Sequence, residues 1–326
     1  MPEVQWRQFG DYSGPLVVGT DVIPIPISNI SAEKFYWLTT KVETNGTFGT
    51  VVMFDGTALT AGPDQFIIVY PKELANEDFN AADDQGPLGP LLARVLAVST
   101  SSYAVEVKRG FAAQGWVLTP TGQLKYVDSR SVRIAGRAVQ VKAGGIVHGA
   151  LIRDTFTPIG GKVPRTGSQW EQASTWAFRF NRVFADPATF STQRLYGLEH
   201  MERSFQSRRV TVAGKPLTIE KVLGVDFSTA TLEKDLELAF AVWYSNSVNA
   251  PAIALQCLQN ALNAVSGDLN KLPKVLLRML GSSNFGRWNA NISGGRWQRT
   301  RKAAMESGLW AAELFQGVGA IMPVRM

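Results

Sequence analysis

The sequence predicts a mostly helical α+β protein, with one short β-hairpin in its first quarter and a β-rich insertion before its middle. Three observations carry that expectation. Apolar residues recur at helical spacing over residues 31–42 and through most of the chain after about 168. The pair Asp55-Gly56 divides two apolar, β-branched runs, which is a hairpin signature. Between about 104 and 150, Val105, Val107, Trp116-Val117-Leu118, Leu124 to Val127, Val132-Arg133-Ile134 and Ala138 to Val141 alternate with Gly and Pro turns, as short strands do.

In chain order, residues 1–30 read as an extended arm, because Pro24-Ile25-Pro26-Ile27 cannot supply the amides of a central strand. A helix then starts at Ser31, a suitable N-cap. It carries Phe35, Leu38 and Val42 on one face and stops at Asn45-Gly46. The hairpin follows, and a second helical zone covers 64–98, broken by Asp83 to Pro90. This first lobe spans 31–103 and the β-rich insertion 104–150. Residues 151–326 form a helical lobe. Within it Leu232, Leu236, Phe240 and Trp243 share a face, with Glu233 and Asp235 in the first turn. Pro251 opens the next helix, through Leu255, Leu258, Leu262 and Val265.

Composition excludes several kinds of chemistry. His148 and His200 are the only histidines and Cys257 the only cysteine, too few for a structural zinc site and insufficient for any intrachain disulfide. Cys257 sits in an apolar run and reads as a core thiol, and no Gly-x-Ser-x-Gly elbow accompanies either histidine. Catalysis, if present, then rests on carboxylates, without metal or cofactor. The net charge of +6 favours anionic partners. No uncharged apolar run reaches the roughly 18 residues of a membrane span, and the N-terminus lacks a signal-peptide pattern. The expectation is synthesis in the cytoplasm and delivery by phage-type lysis, a virion or effector secretion.

The stretch from Glu43 to Gln65 concentrates the candidate chemistry. Glu43 falls in the last turn of the first helix, where the negative helix end and apolar neighbours favour the protonated carboxyl that a general acid needs. Asp55 follows twelve residues later at a turn that water can reach, and Thr60 five residues after that. Two carboxyl groups in divergent environments are the arrangement of a glycosidase. Taken singly, each residue is ordinary: a helix-end carboxylate, a turn aspartate, a strand threonine.

The order helix-Glu43, hairpin-Asp55, Thr60-Ala61-Gly62 resembles the Glu–Asp–Thr triad of phage-type lysozymes. The string from Asp55 to Gly62 resembles the hairpin of bacterial chitosanases, which share the lysozyme-like fold. The resemblance covers roughly residues 31–70, with Trp243 to Pro251 similar to the helical lobe of such enzymes. It implies a lysozyme-like helical fold with Glu43 as general acid, Asp55 as the base that activates water, and Thr60 as a water-positioning group. It further implies Gln65, Phe54 and Asn246 as substrate contacts. The chain departs from the pattern in its length, in its Glu-to-Asp spacing, and in the insertion at 104–150.

Charge bears on the substrate. Chitosan is a polycation, which a +6 chain repels, whereas peptidoglycan carries carboxylates. The expected partner is therefore bacterial peptidoglycan or a related amino-sugar polymer, with a chitosanase or a hydrolase of deacetylated wall as the alternative. A second alternative is non-enzymatic. Residues 271–302 hold eight Lys and Arg residues and no carboxylate, interleaved with Trp288 and Trp297, which suits a nucleic acid, an anionic glycan or merely solvated basic helices.

Overall fold

Helix formation begins at Ser31 in the computed structural model, which describes residues 22–24, 26, 28–53, 59–63, 66–67, 85–134, 136–156, 168–247, 251–266, 268–282, 296–311 and 315. Helix α1 (Ser31–Thr44) is followed by strands β1 (Val51–Met53), β2 (Leu59–Ala61) and β3 (Phe66–Ile67), an antiparallel sheet in that order. Helices α2 (Leu88–Val98) and α3 (Ser102–Ala113) lead into two separate hairpins, β4 (Trp116–Leu118) with β5 (Leu124–Tyr126), and β6 (Arg130–Ile134) with β7 (Arg137–Val141). Then come α4 (Gly149–Phe156), α5 (Ser168–Phe184), a 3₁₀ turn at 187–189 and α6 (Phe190–Ser207). A further hairpin, β8 (Arg209–Val212) with β9 (Lys215–Thr218), precedes α7 (Ile219–Leu223), α8 (Lys234–Ser247), α9 (Pro251–Val265), α10 (Leu272–Ser282) and α11 (Arg296–Glu306). The chain is mostly helical with small antiparallel sheets, the expected α+β class.

Four local expectations are corrected. Ser31 does not cap α1: Ile30 occupies the N-cap, and the Ser31 hydroxyl instead donates to Glu237. Val105 and Val107 are helical, because Ala104, Val107 and Phe111 fall on one buried stripe of α3 while Val105 faces outward, and Ser101 caps the helix through the Tyr103 amide. The β-rich insertion therefore starts at Trp116. In the 64–98 zone, Phe66–Ile67 is strand and the described helix begins only at Leu88. Finally, β8–β9 was not expected. Its turn, Ala213-Gly214, has both φ values positive, the signature of a tight hairpin turn.

Contacts divide the chain into two compact units, one containing Thr47–Tyr196 and the other Ile23–Gly46 with the chain from Gly197 onward. In the first of these units α3 and α4 both pack on α5. In that unit Trp176 stacks on Phe111 and Phe180 with centroids 5.2 and 5.6 Å away, and Phe156 meets it edge-on at 5.0 Å. Gly110 allows the approach, since a Cβ there would lie 2.7 Å from the Trp176 ring.

The second unit is centred on α8, whose residues are buried on every face from Glu237 to Ser247. Phe205 packs against Phe35, Phe227, Trp243 and Tyr244. At the start of α8 the carboxylate of Glu237, 1% exposed, accepts from Ser31 Oγ at 2.6 Å, from Lys34 Nζ at 2.9 Å and from Trp310 Nε1 at 2.9 Å. Ser31 also receives the Leu232 amide on Oγ and donates its own to Ala230 O. A buried carboxylate is tolerated only with such a donor set, and removing it strands Lys34 and two further donors. Replacing Glu237 by Ala is expected to destabilise the protein by about 3–5 kcal/mol, and by Gln about 1–3 kcal/mol, in urea unfolding. Equal stability of the Ala variant would remove the carboxylate from this role.

Candidate active site

Glu43 is the penultimate residue of α1 and is half-buried, while Trp37 and Val42 on the same helix are buried. The helix stops where expected. Asn45 adopts a left-handed conformation with φ 59°, and the amides of Asn45 and Gly46 both donate to Thr40 O. Lys41 reaches back to Asn45 Oδ1, so the cation nearest Glu43 in sequence is engaged with the helix stop.

The chain then enters the three-stranded sheet. Thr60 lies on the central strand, opposite Val52 on β1 and Ile67 on β3, and is 5% exposed. The sheet is held within its unit by α5. Asn181 donates its side-chain amide to Gly49 O. Gly49 backs so closely on Ala185 that a Cβ there would meet the Ala185 Cβ at 2.7 Å. After Gly62 (φ +82°), whose amide bonds Thr50 O at 3.0 Å, the chain returns toward β3.

Asp55 and Phe54, between β1 and β2, and Gln65, before β3, lie outside the described residues. Of the expected triad the structure thus describes Glu43 and Thr60, which belong to different compact units. Asn246, expected at the substrate, is 0% exposed in α8 and donates its amide to Val242 O, so it is a core residue and not a surface contact.

Other candidates resolve into structural roles. The Nδ1 atom of His148 accepts the Ala150 amide at the start of α4. His200 is held neutral: burial first, then the nearby charges of Arg203 and Arg208, lower its pKa from 6.5 to about 4. The thiol of Cys257 is buried beside Met279 O. The acidic pairs Glu77-Asp78 and Asp83-Asp84 lie outside the described residues, as do Arg287 and Trp288. Trp297 is a core residue at 7% exposure. On α10 Lys274 and Arg278 are exposed, while Lys271 pairs with Asp268, so the described part of this stretch reads as a solvated basic face in which Trp297 is no stacking platform. Among the described residues there is no group of three or more His, Cys, Asp or Glu that could hold a metal ion, and no helix is long and apolar enough to cross a membrane. No family model, curated protein or solved structure matches this chain.

Sequence reasoning passed over Asp186, the residue after Ala185. Its buried carboxylate accepts from Ser99 Oγ (2.7 Å) and from the amides of Thr100, Ser101 and Ala188 (2.6, 3.0 and 3.1 Å), tying the α2–α3 turn to the end of α5. Asp-Pro before a helix was the available signal. Burial alone would raise its pKa. The hydrogen bonds from Ser99, Ala188, Thr100 and Ser101 outweigh burial and hold it below the ordinary 3.8. The stability this group adds is therefore complete above the unfolded-state value of 3.8 and is lost as pH falls through the lower folded value. Asp186→Asn is expected to cost about 1–3 kcal/mol at pH 7, with the gap to wild type narrowing below pH 3.8 in urea melts. A gap unchanged with pH would contradict this assignment.

Proposed function

We propose that the protein is a peptidoglycan-degrading glycoside hydrolase of the muramidase kind, cleaving β-1,4 bonds between amino sugars. The observation that carries this reading is local and ordered. Helix α1 carries Glu43 in its last turn and is stopped by Asn45, and the antiparallel sheet that follows has Thr60 on its central strand, with Asp55 falling in the sequence between its first two strands. In this reading Glu43 protonates the leaving glycosidic oxygen, Asp55 takes a proton from the attacking water, and the Thr60 hydroxyl orients that water. A carboxyl separation of roughly 6.5–9.5 Å leaves room for the water and inverts the anomeric centre, whereas about 5–5.5 Å allows direct attack and retention.

Charge supports peptidoglycan over chitosan. Residues 85–156 alone hold nine Lys and Arg against three Asp and Glu, and an excess of that size suits a carboxylate-bearing wall polymer. With Trp297 in the core, the nucleic-acid alternative has lost one of its two stacking residues.

Purified peptidoglycan is expected to be cleared by wild type, with new reducing ends. Glu43→Gln, which keeps the shape but cannot donate the proton, is expected to lose about 10²–10⁴-fold in rate. Asp55→Asn is expected to lose a comparable factor, with both variants folded by circular dichroism. Equal clearing by Glu43→Gln would remove Glu43 from the chemistry. Clearing of chitosan and not of peptidoglycan would move the substrate to the deacetylated polymer.

A further inference from the structure

The end of α6 carries a second site, independent of whether Glu43 is catalytic. The guanidinium of Arg208 lies over the ring of Trp243 with its carbon 5.6 Å from the centroid. Its Nη1 is buried and has no hydrogen-bond partner, and among the described residues Arg208 forms no ion pair. A half-buried guanidinium without a carboxylate is costly, and one cation–π contact of about 0.5–2 kcal/mol does not replace a counter-ion.

The field at His200 is positive. Arg203 and Arg208 both act on the imidazole of His200. Glu202 of the same helix is engaged by the Gln206 amide at 3.2 Å. Arg208 as a whole is half-buried, and Nη1 is the guanidinium nitrogen that is both sealed and without a partner. A planar fork, fixed from one side by an indole, matches the two oxygens of a carboxylate or phosphoryl group.

We propose that Arg208, seated on Trp243 and flanked by His200, is a binding site for an oxyanion: the carboxylate or phosphoryl group of a ligand. The bound anion supplies the missing counter-charge to Arg208 and offsets the positive field at His200.

The chain has two histidines, so their ring resonances give a direct readout. Inorganic phosphate and acetate, titrated separately into the full chain at pH 7 and constant ionic strength, are expected to move the His200 resonances saturably and leave His148 unmoved. In Arg208→Gln the response is expected to weaken about tenfold or more, and in Arg208→Lys, which keeps the charge but not the fork, by a smaller factor. Saturation by phosphate alone assigns a phosphoryl ligand, and saturation by acetate as well assigns a carboxylate. If neither anion saturates, or if Arg208→Gln and Arg208→Lys both respond as wild type does, Arg208 is only a cover for Trp243 and the proposal fails. Should Arg208→Gln not fold, the wild-type titrations and Arg208→Lys still decide it.

Discussion

A single buried carboxylate sets the position of the helix that bears Glu43. Glu237 gathers the hydroxyl of Ser31, the ammonium of Lys34 and the indole N–H of Trp310. It thereby fixes the first turn of α1 to α8 and to the segment that follows α11. Moving a carboxylate out of water carries a penalty of several kcal/mol, which is offset only while all of these donors are present. The network therefore favours one placement of α1 over slipped alternatives in which a donor would be left unpaired. The other end of α1 is fixed by backbone chemistry, through the left-handed Asn45 and the doubled acceptor at Thr40 O. With both ends pinned, Glu43 has a defined place within its own unit.

The other unit uses the same device with different parts. Asp186 collects backbone amides and a hydroxyl where α5 ends, beside the Ala185 and Asn181 contacts that seat Gly49 at the root of the sheet. The aromatic cluster of Phe111, Phe156, Trp176 and Phe180 supplies the apolar burial beneath it. Each unit thus combines a dense aromatic core with one buried acid that fixes where a chain segment begins. The hydrophobic term gives compactness, and the directional hydrogen bonds give register.

Much of this was legible in the sequence wherever a local rule and a tertiary role coincide. The stop at Asn45-Gly46, the β1–β2 pairing around Asp55-Gly56 and the helix opened by Pro251 follow from backbone chemistry alone. Readings failed where a side chain served a distant partner. Ser31 looks like a cap, yet its hydroxyl is claimed by a carboxylate 206 residues away. Val105 and Val107 alternate like a strand, but Val107 belongs to the same buried stripe as Ala104 and Phe111. Asn246 looks like a polar contact and lies in the core because α8 is buried all round. Asp186 and Arg208 gave little local signal, because the meaning of each comes from groups brought to it by folding.

In the proposed reaction water is the nucleophile at the anomeric carbon, and the fate of that water's oxygen is the most direct test. Peptidoglycan digested by the wild-type protein in ¹⁸O-labelled water, with the fragments read by mass spectrometry, is predicted to carry the heavy oxygen at each new reducing end. Unlabelled anhydro-sugar ends would mean that the bond is broken by internal attack, and the role given to Asp55 would be wrong. Absence of any cleavage of peptidoglycan or chitosan would contradict the hydrolase reading itself.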